Sequence, residues 1–136
     1  MSEKKTLKLL REAFASECYA EQMATLFAKI AMQEGLPGIA TEFEELARGD
    51  NSHAVGYFNV LRDAGEFYYG FKTGNTIDNI QTTLEKEVIK ADGCAALIKI
   101  ARDEGLENIA ETMEEVSISE MQHIHRLNNL QNEIIS

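Results

Sequence analysis

With a single proline, Pro37, in 136 residues, the chain has almost nothing that forces a helix to stop. The nine glycines fall mostly in clusters, and the abundance of Ala, Glu, Leu, Ile and Lys favours helix nearly throughout. Only two cysteines occur, Cys18 and Cys94. Both lie inside helical text without a C-x-x-C pairing, which excludes a disulfide framework and a structural zinc knuckle and leaves two reduced thiols. No uncharged apolar run approaches the roughly 18 residues that a membrane span needs. The N-terminal text from Met1 to Lys5 has no signal-peptide character, so the sequence reads as cytoplasmic with no membrane role. A basic stretch is lacking too: the formal net charge is -10, which excludes nucleic acid and anionic membranes as partners. Cations suit such a chain better, although most of the acids fall on predicted solvent faces and serve solubility there. At 15.2 kDa the whole of 1–136 reads as one domain, large enough to bury a core without staples.

What is present is a repeat. The text E-G-L-x-x-I-A-x-x-x-E-E, followed by an acid-x-x-His, runs from Glu34 to His53 and again from Glu104 to His123, an offset of seventy positions. A lone carboxylate stands seventeen residues ahead of each copy, at Glu17 and Glu87. One carboxylate and one acid-x-x-His pair per copy give four acids and two histidines, the donor set of a dinuclear metal site in a helical bundle.

Helical periodicity places these residues. The first seam reads Leu10, Phe14, Glu17, Glu21, Ala24, Ala28, Ala31, and its counterpart Ile80, Leu84, Glu87, Ala91, Cys94, Ile98, Ala101. The second and fourth helices are expected to turn Ile39, Phe43, Leu46, Asp50, His53, Tyr57, Val60 and Ile109, Met113, Val116, Glu120, His123, Leu127, Leu130 inward. Thr6 and Thr76 are the expected N-caps, and Gly35 and Gly105 the left-handed C-terminal caps. Glu17, Asp50, His53, Glu87, Glu120 and His123 thus occupy seam positions where charge is costly unless it is paired or binds metal. An acid and a histidine at i and i+3 share one helix face and can reach the same ion. The halves are about 6–63 and 76–133, and 64–75 forms a long connection without helical periodicity. Extended, it spans on the order of 40 Å, enough for the second hairpin to pack inverted against the first or to be exchanged in a hairpin-swapped homodimer.

These residues resemble the rubrerythrin family of ferritin-like di-iron proteins. The likeness runs from Leu7 to Leu130, through F-A-S-E (14–17), F-A-K-I-A (27–31), Q-E-G (33–35), I-A-T-E-F-E-E-L-A (39–47) and I-A-E-T-M-E-E (109–115). The resemblance implies an all-α, ferritin-like four-helix bundle of two helical hairpins joined by one long crossover. It implies two metal ions, iron first, with manganese and zinc accepted by the same donors. Glu17 with His53 would serve one ion and Glu87 with His123 the other, while Asp50 and Glu120 bridge. The implied activity is peroxidase-type: hydrogen peroxide reduced to water through these six residues and their metals. The chain ends at Ser136 without a rubredoxin domain, so electrons are expected from a separate donor such as a rubredoxin. Two other classes fit the same text: an iron-oxidising or iron-handling protein that uses oxygen, and a non-catalytic helical module with a degenerate site.

Departures from the family pattern are local. Asp50 stands where glutamate is usual, Lys90 replaces a further glutamate, and Ala24 and Cys94 replace tyrosines near the metals. Glu21, one turn past Glu17, is a candidate substitute ligand. Cys94 reads as a small core residue, Cys18 as off the seam, and His125 as solvated. The aromatic cluster Phe67, Tyr68, Tyr69, Phe71 is expected to pin the crossover to the bundle. Of the acid pairs Glu44, Glu45 and Glu114, Glu115, most are expected on solvated faces, with one of each able to hold a ligand histidine.

Overall fold

The computed structural model describes residues 5–65, 67, 68, 71, 72 and 74–135, the side chains at 67, 68, 71, 72 and 135 excepted. Helix α1 spans Lys5–Gln33 and α2 Pro37–Asp63; two two-residue strands follow, β1 (Phe67–Tyr68) and β2 (Phe71–Lys72), and then α3 (Thr76–Asp103) and α4 (Glu107–Ile135). The protein is all-α in class, and the two strands are the only regular structure between α2 and α3 among the described residues. The anchoring expected of the Phe67, Tyr68, Tyr69 and Phe71 side chains lies outside the described residues. Two compact units divide the chain, Met1–Gly70 and Phe71–Ser136. Each holds one antiparallel helical hairpin, α1 against α2 and α3 against α4. None of the described helices is long and apolar enough to cross a membrane.

Both hairpins turn by the same device. Gly35 has φ 76°, a left-handed conformation that costs glycine little. There the Gly35 amide donates to Met32 O (3.1 Å) and the Leu36 amide to Ala31 O (2.9 Å), so two otherwise unpaired carbonyls at the end of α1 are satisfied. The Leu36 carbonyl then accepts from Ala40 N at 3.0 Å, opening α2 with Pro37 in its first turn. Gly105, also at φ 76°, repeats this, with its amide on Arg102 O, Leu106 N on Ala101 O (2.8 Å) and Ala110 N on Leu106 O (3.1 Å). The glycine caps inferred from sequence are therefore present. The threonine caps are not. Helix α1 already includes Lys5, which puts Thr6 inside it. At α3 the cap is Asn75, whose side-chain oxygen accepts from Asp78 N at 3.0 Å, leaving Thr76 as the first helical residue.

Alanine lines the contact within each hairpin. Ala24, Ala28 and Ala31 of α1 are buried with Ala40, Ala47, Ala54 and Leu61 of α2; Cys94, Ala101 and Ala110 play this part in the second hairpin. The seams expected for α1 and α3 hold, with their members buried or half-buried. Those of α2 and α4 need correction. Ile39, Leu46 and Val60 are exposed, Leu46 at 58%, as are Ile109, Val116 and Leu130. The buried row on α2 lies one residue further on, at Ala40, Ala47 and Ala54, because small side chains let two helices approach closely while bulkier neighbours are pushed to the flanks. Phe43 keeps its expected place, half-buried against Ala28, Ala31 and Ala40.

Two substitutions test this account. A Cβ on Gly35 would meet nothing within 4 Å, so Gly35→Ala should cost the conformational penalty alone, about 1–2 kcal/mol. Ala40 is 1% exposed, and Ala40→Leu should destabilise by about 1–3 kcal/mol through overpacking. Urea unfolding followed by circular dichroism reads both, and a wild-type midpoint for Ala40→Leu would refute the close alanine contact.

Candidate metal centre

In the first hairpin, Glu17 comes from the middle of α1, and Asp50 and His53 come from successive turns of α2. One donor atom from each of the three lies within 4.8 Å of the others. His53 Nδ1 is 3.4 Å from Glu17 Oε2, too poorly aligned to satisfy that oxygen, which is buried with no hydrogen-bond partner among the described residues. The acids are half-buried, whereas the His53 side chain is 61% exposed. The shorter aspartate reaches the group because the alanine seam holds α1 and α2 close. Beyond it, Phe14 and Phe58 pack at a ring separation of 6.3 Å, and toward the turn Phe27 meets Phe43 edge-on at 5.6 Å. Such pairs contribute about 0.5–1.5 kcal/mol beyond area burial.

The second hairpin carries the same residue types in a looser arrangement. Glu87 of α3 and Glu120 of α4 both bury an Oε2 that has no hydrogen-bond partner among the described residues. Glu120 is only 7% exposed. His123 Nδ1 stands 3.9 Å from Glu87 Oε2, and the histidine is again the exposed member. The other oxygen of Glu87 is taken: Lys90 Nζ lies 3.0 Å from Oε1. Among the described residues, only the Glu17, Asp50, His53 set converges within 4.8 Å. The expectation that all six side chains are buried is therefore corrected for the two histidines, which lie at the rim of the alanine seam with about half or more of each side chain in solvent.

Neighbouring candidates have other partners. Glu21 accepts from Asn51 Nδ2 at 3.2 and 3.4 Å through its two oxygens, which ties α1 to α2 one turn from Glu17. Asn51 was not singled out by sequence, although its place inside the acid-x-x-His motif was the available signal. Glu114 is bound by Arg102, which also reaches Glu107 at 3.3 Å; these carboxylates hold the Arg102 guanidinium above its usual range. Glu45 faces Arg48 at 4.0 Å. Glu114 thus braces its hairpin by tying α4 to α3, Glu45 pairs within α2, and neither is placed on a histidine. Cys94 is buried with its thiol on Met113 O at 3.2 Å, in keeping with a core role. Cys18 is exposed, and partial burial together with the Glu21 charge pushes its thiol above the ordinary value. His125 is exposed beside Asn129, at 3.4 Å, away from both acid groups.

Three buried carboxylate oxygens without donors among the described residues make an electrostatic demand that a cation meets. Oxygen donors with one imidazole in each set, and no thiolate, suit iron, manganese or zinc. The donor chemistry therefore fits the metals that the resemblance implied.

Comparison with known proteins reaches the same place. The rubrerythrin family profile matches residues 8–92, more than half of the chain, a stretch that includes Glu17, Asp50, His53, Glu87 and Lys90. A rubrerythrin-named protein of Methanocaldococcus jannaschii is 29% identical over 96% of this chain and 71% of its own length. The rubrerythrin of Clostridium perfringens is 26% identical and rubrerythrin-1 of Clostridium acetobutylicum 27% identical, each over 93% of this chain and 69% of its own length. On the family match, the relatives and the four helices with their repeated acid and histidine groups, the chain belongs to the rubrerythrin family, in the ferritin-like four-helix-bundle class.

Proposed function

We propose that this protein is a non-haem di-iron oxidoreductase that reduces hydrogen peroxide to water, with Glu17, Asp50, His53, Glu87, Glu120 and His123 as metal ligands. The observation that carries the reading is the trio of buried, partnerless carboxylate oxygens on Glu17, Glu87 and Glu120. A chain that retains buried anions at a free-energy cost does so where something positive is to be held. Bound iron would supply the two electrons that, with two protons, convert one peroxide to two waters.

The residues determine the rest. The carboxylates would lower the net charge of bound ions and so favour the higher oxidation state. His53 turns Nδ1 toward Glu17; if that nitrogen offered its lone pair to a bound ion, the ring proton would sit at Nε2. Exposure of His53 and His123 gives a small substrate and solvent protons a short path to the donor atoms. Glu21, held by Asn51, stands in reserve one turn from Glu17 and orients α2. A separate donor protein, such as a rubredoxin, would return the electrons. A cytoplasmic location and a homodimer complete the proposal.

Two experiments bear on it. Glu120→Gln removes a charge that is buried without a partner, so the metal-free variant should be more stable than wild type by about 1 kcal/mol. Metal should stabilise the wild type by about 2.7 kcal/mol at a hundredfold excess over Kd and the variant distinctly less; equal metal-induced shifts in Tm would remove Glu120 from the site. Elemental analysis of protein purified without chelator should find about two irons per chain, matching two sets of three donors. Peroxide should then oxidise the reduced protein at least tenfold faster than oxygen does. A faster reaction with oxygen would move the assignment to iron oxidation, and absence of metal would end it.

A further inference from the structure

The two ligand sets are not equal: the second has Glu120 where the first has Asp50, and among the described residues it alone carries a neighbouring cation. In the second set Lys90, three residues after Glu87 on α3, holds Glu87 Oε1 at 3.0 Å. The Glu87 side chain is 13% exposed and that of Lys90 50%. The ammonium thus reaches inward to the acid along a stem that lies at the surface. Seventy positions earlier, the residue corresponding to Lys90 is Ala20, which has no charge to offer Glu17. Glu17, Asp50 and His53 already converge within 4.8 Å, while in the second set His123 Nδ1 is 3.9 Å from Glu87.

From this we infer that Lys90 is a resident counter-cation of the second set, and that the chain takes up metal in two unequal steps. The first ion enters Glu17, Asp50 and His53. The second enters Glu87, Glu120 and His123 only when Lys90 swings out. With neutral histidines, each set offers two carboxylate charges, which a divalent ion neutralises. Lys90 has already cancelled one of the two in the second set, and a divalent ion arriving there meets repulsion from the ammonium as well as competition for Oε1. The exposed stem makes displacement feasible, so Lys90 weakens the second step without abolishing it. The inference rests on the reading of these six residues as metal ligands and goes beyond it by ranking the two sets and naming the residue that ranks them.

The test is calorimetric titration of the chelator-stripped full chain with Co²⁺ alone, which needs neither turnover nor reductant. Wild type should show two steps separated at least tenfold in affinity. His53→Ala should remove the tighter step and His123→Ala the weaker. Lys90→Met, which keeps the stem and removes the charge, should strengthen the weaker step at least tenfold and leave the tighter one in place, whereas Lys90→Arg should behave as wild type. Lys90→Gln provides the same comparison with a polar side chain, and circular dichroism verifies the fold of each variant. Two equal steps unaffected by Lys90→Met, or a weaker second step in that variant, would overturn the role of Lys90 and leave the metal reading standing. No Co²⁺ bound by wild type or by Lys90→Met would overturn both.

Discussion

Anionic oxygen buried without a hydrogen-bond donor is the constraint around which this molecule is arranged. Glu17, Glu87 and Glu120 each bring one such atom into a helical hairpin, and nothing in an alanine-lined seam can satisfy it. The seam cannot be loosened cheaply to admit water, because its small side chains hold the helices together by close approach. The carboxylates must therefore be met from their own immediate surroundings. Lys90 meets only the other oxygen of Glu87, Oε1, and beside Glu17 and Glu87 a histidine stands near enough to share a ligand with the acid.

The repeated hairpin is a common frame with divergent fittings. In the first copy, two aromatic pairs flank the acid and histidine group, Phe14 with Phe58 and Phe27 with Phe43. The positions seventy residues on hold Leu84, Asn128, Leu97 and Met113, which cannot form those ring contacts. The second copy instead ties α3 to α4 through the Cys94 thiol on Met113 O and through Gln131 on Gln81. Each hairpin has thus replaced one means of closing its seam with another while keeping the acids and histidines in register.

Much of this was legible in the sequence because the signals are local. Gly35 and Gly105 end helices for a backbone reason that needs no neighbour. Glu17 and Glu87 fall on seams because a 3.6-residue period fixes their face once Ala24, Ala28 and Ala31, or Cys94 and Ala101, define it. The α2 and α4 seams were misplaced for a physical reason: a reading that gives weight to large apolar side chains selects Ile39, Leu46 and Val60, whereas two closely packed helices select Ala40, Ala47 and Ala54. Asn75 took the cap from Thr76 because the outcome turns on which side chain reaches an amide three residues on. The Lys90 to Glu87 pair and the Asn51 to Glu21 bond depend on side-chain direction, which spacing alone does not supply.

The turns at Leu36 and Leu106 have a consequence of another kind. Each leucine closes one helix with its amide and opens the next with its carbonyl, so the two helices of a hairpin share a single rigid joint with no slack residue. Inserting or deleting one residue there would rotate the following helix by about 100° and shift it by about 1.5 Å, turning the acid and histidine away from the carboxylate they face. Length is thus constrained at these two turns even where composition is free to vary: a residue can be exchanged at a hairpin tip far more cheaply than one can be added or removed.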